Sequence, residues 1–206
     1  MSEYRIGALV FPGFELLDLF GPLEMFGMYP EVFRIQLVAQ ELAPVTSSQG
    51  PVSLPDSCFD DSHHYEILLV PGGAGTRREV NNEVLIEWLL ARVADTRWIT
   101  SVCTGSALLA SAGLLDGRRA TTNKNAFGWV SGFGNDVHWV KKARWVHDGR
   151  FYTASGVSAG IDMSLSVIAD LLGESAALQA ADWGEYLWNR DPSNDPFAMK
   201  AGLVDS

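Results

Sequence analysis

Three short, largely apolar runs each break off onto a turn of small residues. Tyr4–Val10 stops at Phe11-Pro12-Gly13, Ile67–Val70 at Pro71-Gly72-Gly73, and Trp98–Val102 at Cys103-Thr104-Gly105. Runs with little polar alternation read as strands buried on both faces, and helix-like stretches separate them. That alternation predicts an α/β domain with a mainly parallel central sheet covered by helices on each side, a three-layer sandwich. In such sheets ligands gather beyond the carboxyl ends of the strands. All three turns fall at that edge, so their loops are expected to converge on one site.

The remaining segments fit the same scheme. Phe33–Ala39 reads as a further strand, and Pro44–Pro55 as a loop or small hairpin. Glu15–Met28 is helix-like, with Pro22 expected to break or restart it. Val84, Leu85, Trp88, Leu89 and Val93 recur at helical spacing within Asn81–Ala94. Thr104–Leu115 is expected to be helical. His147-Asp148-Gly149 is a hairpin signal between two short strands. Val157–Leu172 reads as a helix capped by Gly173, followed by a further helix over Ala176–Trp188. The chain of 206 residues shows no repeat or linker and is expected to be a single domain, 1–206. Its polar, Pro-containing tail from about residue 191 is expected to be loosely held.

Charge narrows the partners. Lys and Arg number 15 against 25 Asp and Glu, a net −10, and basic residues cluster only in pairs. This argues against nucleic-acid binding and against docking on anionic membranes. No apolar run approaches the roughly 18 residues of a transmembrane helix. Cys58 and Cys103 are the two cysteines, with no C-x-x-C. Together with the lack of a leader pattern at Met1-Ser-Glu-Tyr-Arg, they lead us to expect a reducing, cytoplasmic setting. The four histidines (His63, His64, His138, His147) show no metal-ligand spacing, so no metal and no cofactor are expected. A small-molecule substrate is the expected partner.

Cys103 lies between a strand and a helix that follow one another without a loop. A residue so placed sits on a tight, exposed turn, with Gly105 and Ser106 keeping its surroundings small. Its sulfur would lie at a helix N-terminus, which favours the thiolate. The competing reading is a buried structural cysteine at a strand end. Pro71-Gly72-Gly73-Ala74-Gly75 can turn backbone N–H groups toward a ligand and, with the N–H of Thr104, form an oxyanion hole. It lacks both phosphate-binding glycine patterns. Asp18 sits between Leu17 and Leu19 in an apolar stretch. Burial and a neighbouring thiolate would raise its pKa and let it act as a general acid. Glu15 and Glu24 are rival acids.

These residues resemble the DJ-1/PfpI superfamily, which has a flavodoxin-like fold. The resemblance rests on Phe11-Pro-Gly13, Leu17-Asp-Leu-Phe-Gly-Pro22, Val70-Pro-Gly-Gly73, Ser101-Val-Cys-Thr-Gly-Ser106, Gly113-Leu-Leu-Asp-Gly-Arg-Arg-Ala-Thr-Thr122 and Ser158-Ala-Gly-Ile-Asp162. It runs from about Arg5 to Leu172 and is nearest to the isonitrile hydratase branch and to the amidase-like domains of AraC-type regulators. The resemblance implies that Cys103 is the nucleophile, Asp18 its hydrogen-bonded acid, and Gly72, Gly73 and Thr104 the oxyanion or substrate-binding donors. It also implies a homodimer. Many members carry a histidine near the cysteine where this chain has Asn123-Lys124-Asn125. A Cys–His–acid triad is therefore not expected, and a Cys–Asp pair adding water to an isonitrile is. The alternatives are a redox-sensing or chaperone-like role for an oxidisable Cys103, and a glyoxalase III-like action on methylglyoxal.

Overall fold

The computed structural model describes residues 3–205. Strand β1 (Tyr4–Leu9) leads through α1 (Leu16–Gly27) into β2 (Phe33–Ala39). A small hairpin, β3 (Val45–Thr46) with β4 (Val52–Ser53), precedes β5 (Ser57–Cys58) and β6 (Ile67–Val70). Then come α2 (Thr76–Glu79), α3 (Glu83–Asp95), β7 (Trp98–Val102) and α4 (Gly105–Ser111). β8 (Arg119–Ala120) pairs with β9 (His138–Trp139) on either side of α5 (Phe127–Val130). β10 (Trp145–Asp148) and β11 (Phe151–Ala154) form a hairpin, followed by α6 (Ala159–Leu172), α7 (Glu174–Trp183) and α8 (Phe197–Lys200).

Seven strands form the central sheet in the order β10-β11-β7-β6-β1-β2-β5. Only the β10–β11 pair is antiparallel. α1, α6 and α7 pack together on one face, and α2 and α3 pack against α4 on the other. β6 is buried along its whole length, as an interior strand of a doubly covered sheet must be. This is the flavodoxin-like three-layer α/β sandwich. Among the described residues no helix is long and apolar enough to cross a membrane.

Four local expectations are corrected. Pro22 lies inside α1 without ending it. Proline removes one intrahelical hydrogen bond there, but α1 is held by burial against α6, where Gly21 and Gly160 allow close approach. α4 stops at Ser111, short of Leu115, because Gly113 takes a left-handed φ of 70°. α7 likewise stops at Trp183, before Gly184 and a left-handed Glu185. The tail after residue 191, expected to be loose, carries α8 and a fully buried Asp195.

The registers bring the functional loops level. Val70 pairs with Ser101, and Ala154 with Val102, so β6, β7 and β11 end side by side. Glu15 N–H donates to Gly72 O at 2.8 Å and Gly75 N–H to Gly13 O at 3.0 Å, tying the loops after β1 and β6 together. Cys103 N–H donates to Ser155 O at 2.8 Å and ties in the loop after β11.

Candidate active site

Cys103 immediately follows β7 and has φ 58°, a left-handed conformation uncommon outside glycine. The strain is imposed from all sides. Its carbonyl oxygen accepts from the hydroxyls of Thr122 (2.9 Å) and Ser106 (3.1 Å). Gly105 behind it has no room for a side chain. A Cβ there would lie 2.7 Å from the Pro71 carbonyl oxygen and nearer still to that of Val70. This is the geometry of a nucleophile elbow. Strained, over-determined backbone of this kind concentrates at functional sites.

Asp18 reaches the same point from the first turn of α1. Its side chain is fully buried, whereas Glu24 faces solvent and Glu15 is only half-buried. Asp18 Oδ2 accepts from Gly72 N–H at 2.9 Å, and Oδ1 is buried without a partner. Burial is the main force raising the carboxyl pKa to about 8, with a smaller push from Glu15. The Gly72 N–H and a hydrogen bond with Cys103 oppose that rise. At neutral pH the carboxyl therefore holds its proton most of the time.

The sulfur departs from the sequence expectation. The Cys103 side chain is buried, and desolvation pushes the thiol up to about 12, reinforced by the negative charge of an ionised Asp18. Hydrogen bonds from Thr104 N–H, the Asn123 side chain and Val157 N–H act the other way and do not win. α4 is too short, and the sulfur too dry, for the helix terminus to set the protonation state. Cys103 and Asp18 thus form a coupled pair that carries two protons near neutrality.

The glycine turn is also used differently. Gly72 N–H is directed onto Asp18, and Gly73 N–H onto Thr104 Oγ1 at 3.1 Å. Both donors are engaged within the protein and do not face a substrate. Thr76 Oγ1, bonded to Gly73 O at 2.7 Å, locks the turn. A Cβ on Gly72 would sit 2.6 Å from Thr104 N and 2.8 Å from Asp18 Oδ2, so glycine is what lets acid and elbow meet. Of the three residues expected to supply donors, Thr104 is the one whose N–H reaches the nucleophile.

Two contributors were not assigned by sequence. Asn123 occupies the place where a histidine was missed, and its side chain is one of the groups that oppose the rise in the thiol pKa. Its Oδ1 accepts from Ala126 N–H at 3.1 Å, which fixes the amide orientation. Val157 has φ 42°, an outlier for a β-branched residue, and its N–H also meets the sulfur. The signal for Val157 was Ser155-Gly156-Val157-Ser158 directly after β11, one more small turn at the same sheet edge. A cavity of about 440 Å³ opens beside Asn123 and Val157 and is also lined by Phe197 and Lys200.

The DJ-1/PfpI family profile matches residues 4–170. The chain is 38% identical over 173 residues to the isonitrile hydratase of Pseudomonas putida, spanning 84% of this chain and 74% of that protein. It is 29% identical over 182 residues to the HTH-type transcriptional regulator CdhR of Pseudomonas aeruginosa, covering 84% of this chain but only 52% of the regulator. Among solved structures it is similar to a ThiJ/PfpI family protein from Pseudomonas syringae. The TM-score is 0.84 at 35% identity, covering 97% of this chain and 81% of the other. Elbow, acid and fold are accompanied by a profile match over most of the sequence, and the chain belongs to the DJ-1/PfpI family.

Proposed function

We propose that this protein is an isonitrile hydratase-like enzyme, a lyase that converts R–N≡C and water into an N-substituted formamide. The observation that carries the reading is the pairing of a fully buried, proton-holding Asp18 with the Cys103 elbow, with an amide where a triad would place an imidazole. The similarity to the Pseudomonas putida enzyme supports it.

The terminal carbon of an isonitrile carries a lone pair, so it accepts a proton before it accepts a nucleophile. Asp18 supplies that proton, and a C–H bond forms. The Asp18 carboxylate then takes the thiol proton as sulfur attacks the same carbon, giving the thioimidate R–N=CH–S–Cys103. No free thiolate is needed, which suits a thiol whose pKa is pushed up to about 12. In the second half Asp18 protonates the imine nitrogen and accepts a proton from the attacking water. The tetrahedral R–NH–CH(OH)–S species breaks its C–S bond. Its hydroxyl proton returns to sulfur, and R–NH–CHO leaves. No amine departs, so a histidine to protonate one is not required.

Thr104 N–H, Asn123 and Val157 N–H are proposed to hold the sulfur lone pairs and set the attack direction. Redox sensing depends on a thiolate near neutral pH, and burial opposes one. We further propose a homodimer, supported by Leu17 and Phe20, which are 42% exposed side by side on α1. Sedimentation at micromolar concentration is expected to give twice the chain mass, and a monomer would remove that part of the reading.

Cyclohexyl isonitrile incubated with the protein should yield the formamide by mass spectrometry. Cys103→Ala should abolish turnover, and Asp18→Asn should lower kcat by roughly 10²–10⁴-fold, the range for a general acid. Absence of product from the wild-type protein, or full activity in Cys103→Ala, would sink the proposal.

A further inference from the structure

The cavity beside Asn123 and Val157 has an unusual lining for so acidic a chain. The protein carries a net −10, yet no Asp or Glu side chain lines this space. Asn123, Asn125, Ser155 and Ser158 contribute amide and hydroxyl groups, and two lysines, Lys124 and Lys200, complete the polar wall. Phe197 is the one aromatic surface.

The two lysines stand differently. Lys124 is buried, and its Nζ meets Thr121 Oγ1 at 2.6 Å, Thr122 O at 3.2 Å and Asp195 at 3.3 Å. Those partners engage its protons, and Asp195 offsets its charge. Lys200 is exposed on α8, with Nζ 5.2 Å over the Phe197 ring. Among the described residues it makes no ion pair within 4.0 Å. An unpaired ammonium sharing one wall with amide and hydroxyl groups, and with no carboxylate in that wall, is complementary to a small anion carried by a group at Cys103.

We infer that this cavity is the subsite for the substituent of the substrate and that it takes a carboxylate, with Lys200 as the residue that selects it. This deepens the proposed hydratase reading and rests on it for the word substrate: the class implied is an isonitrile bearing a carboxylate on a short chain. The cavity's position fits, because Asn123 and Val157 belong both to its wall and to the set of donors on the sulfur. On this proposal a group bonded to Cys103 through a short chain passes Asn123 and Val157 and reaches Phe197 and Lys200.

The test reads the subsite without needing the hydratase reaction. Cys103 is alkylated with ω-iodo carboxylates of increasing chain length and with the matching amides, and each carboxylate-to-amide rate ratio is divided by that for glutathione. At one chain length the normalised ratio should exceed unity by about threefold or more, the scale of a partly exposed ion pair. Lys200→Glu should bring it below unity, whereas Arg34→Glu, which changes the net charge equally at an exposed site near the start of β2, with three strands between it and β11, should leave it. A ratio near or below unity at every length, or equal effects of the two substitutions, overturns the inference. A second arm compares kcat/KM for 4-isocyanobutanoate and its methyl ester. If neither is hydrated while the alkylation preference holds, the reaction assignment fails and the anion subsite stands. If the ester is hydrated and no carboxylate preference appears in either arm, the subsite fails and the reaction stands.

Discussion

Asp18 shows how far one residue can be held from its solution behaviour. Burial with one N–H partner moves its pKa from 3.8 to about 8. The sign for stability follows directly. The folded state binds the proton more tightly than the unfolded chain, so stability falls as pH rises from about 4 toward 8. At pH 7 the penalty reaches at most about 4 kcal/mol, from the size of the shift. Asp18→Asn keeps an acceptor for Gly72 N–H and removes the ionisable group. The variant should therefore be far slower yet more stable, and its gain in Tm over the wild type should widen between pH 5 and pH 8. A gap that stays constant across that range would mean the carboxylate is not destabilised where it sits. The proposed mechanism has the same sign: it uses the acid form of Asp18, so kcat should decline above about pH 8.

At the scale of elements, the strand-to-helix junction rests on absent side chains as much as on present ones. Gly105 opens α4 against the carbonyls of Val70 and Pro71 at the end of β6. Gly105→Ala should cost about 3 kcal/mol, in the range of overpacking with backbone shift, and should displace the Cys103 turn. Thermal unfolding together with Cys103 alkylation rates would show both, and a Tm within a degree of wild type would contradict the crowding. This junction was legible from residues 98–110, because abrupt change from β-rich to small helix-forming residues is a local signal. The parallel sheet was legible for the same reason, from β1, β6 and β7. The fate of Pro22 was not, since propensity says helix break, while the packing of α1 on α6 is a tertiary fact. Nor was the use of Gly72 and Gly73. A glycine turn announces exposed N–H groups, but which acceptor fills them depends on Asp18 and Thr104 arriving from other elements. The thiol protonation state was misjudged because a helix N-terminus is visible in sequence and desolvation is not.

Over the whole molecule, the C-terminal segment is bound to the sheet edge that carries Cys103 by two buried charged clusters. Asp162 on α6 accepts from Arg144 Nε at 2.8 Å, Tyr186 hydroxyl at 3.0 Å and Asn189 N–H at 2.9 Å. Farther along, Asp195 reaches Lys124, one residue from the amide that touches Cys103. A polar, Pro-containing tail gives no periodic signal of docking, which is why a loose tail was the natural expectation. The Lys124–Asp195 pair makes a specific energetic demand. Removing one partner leaves the other charged and buried, which typically costs about 3–5 kcal/mol. Replacing both with apolar residues removes the demand for compensation. Lys124→Met and Asp195→Leu should therefore each lower stability substantially, and the double variant should be more stable than either single one in denaturant unfolding. Strictly additive losses would show that the two side chains do not depend on each other. Because Lys124 also anchors Thr121 and Thr122 beside the elbow, Asp195→Leu should disturb Cys103 alkylation from a position in the tail, whereas the double variant should recover part of that rate.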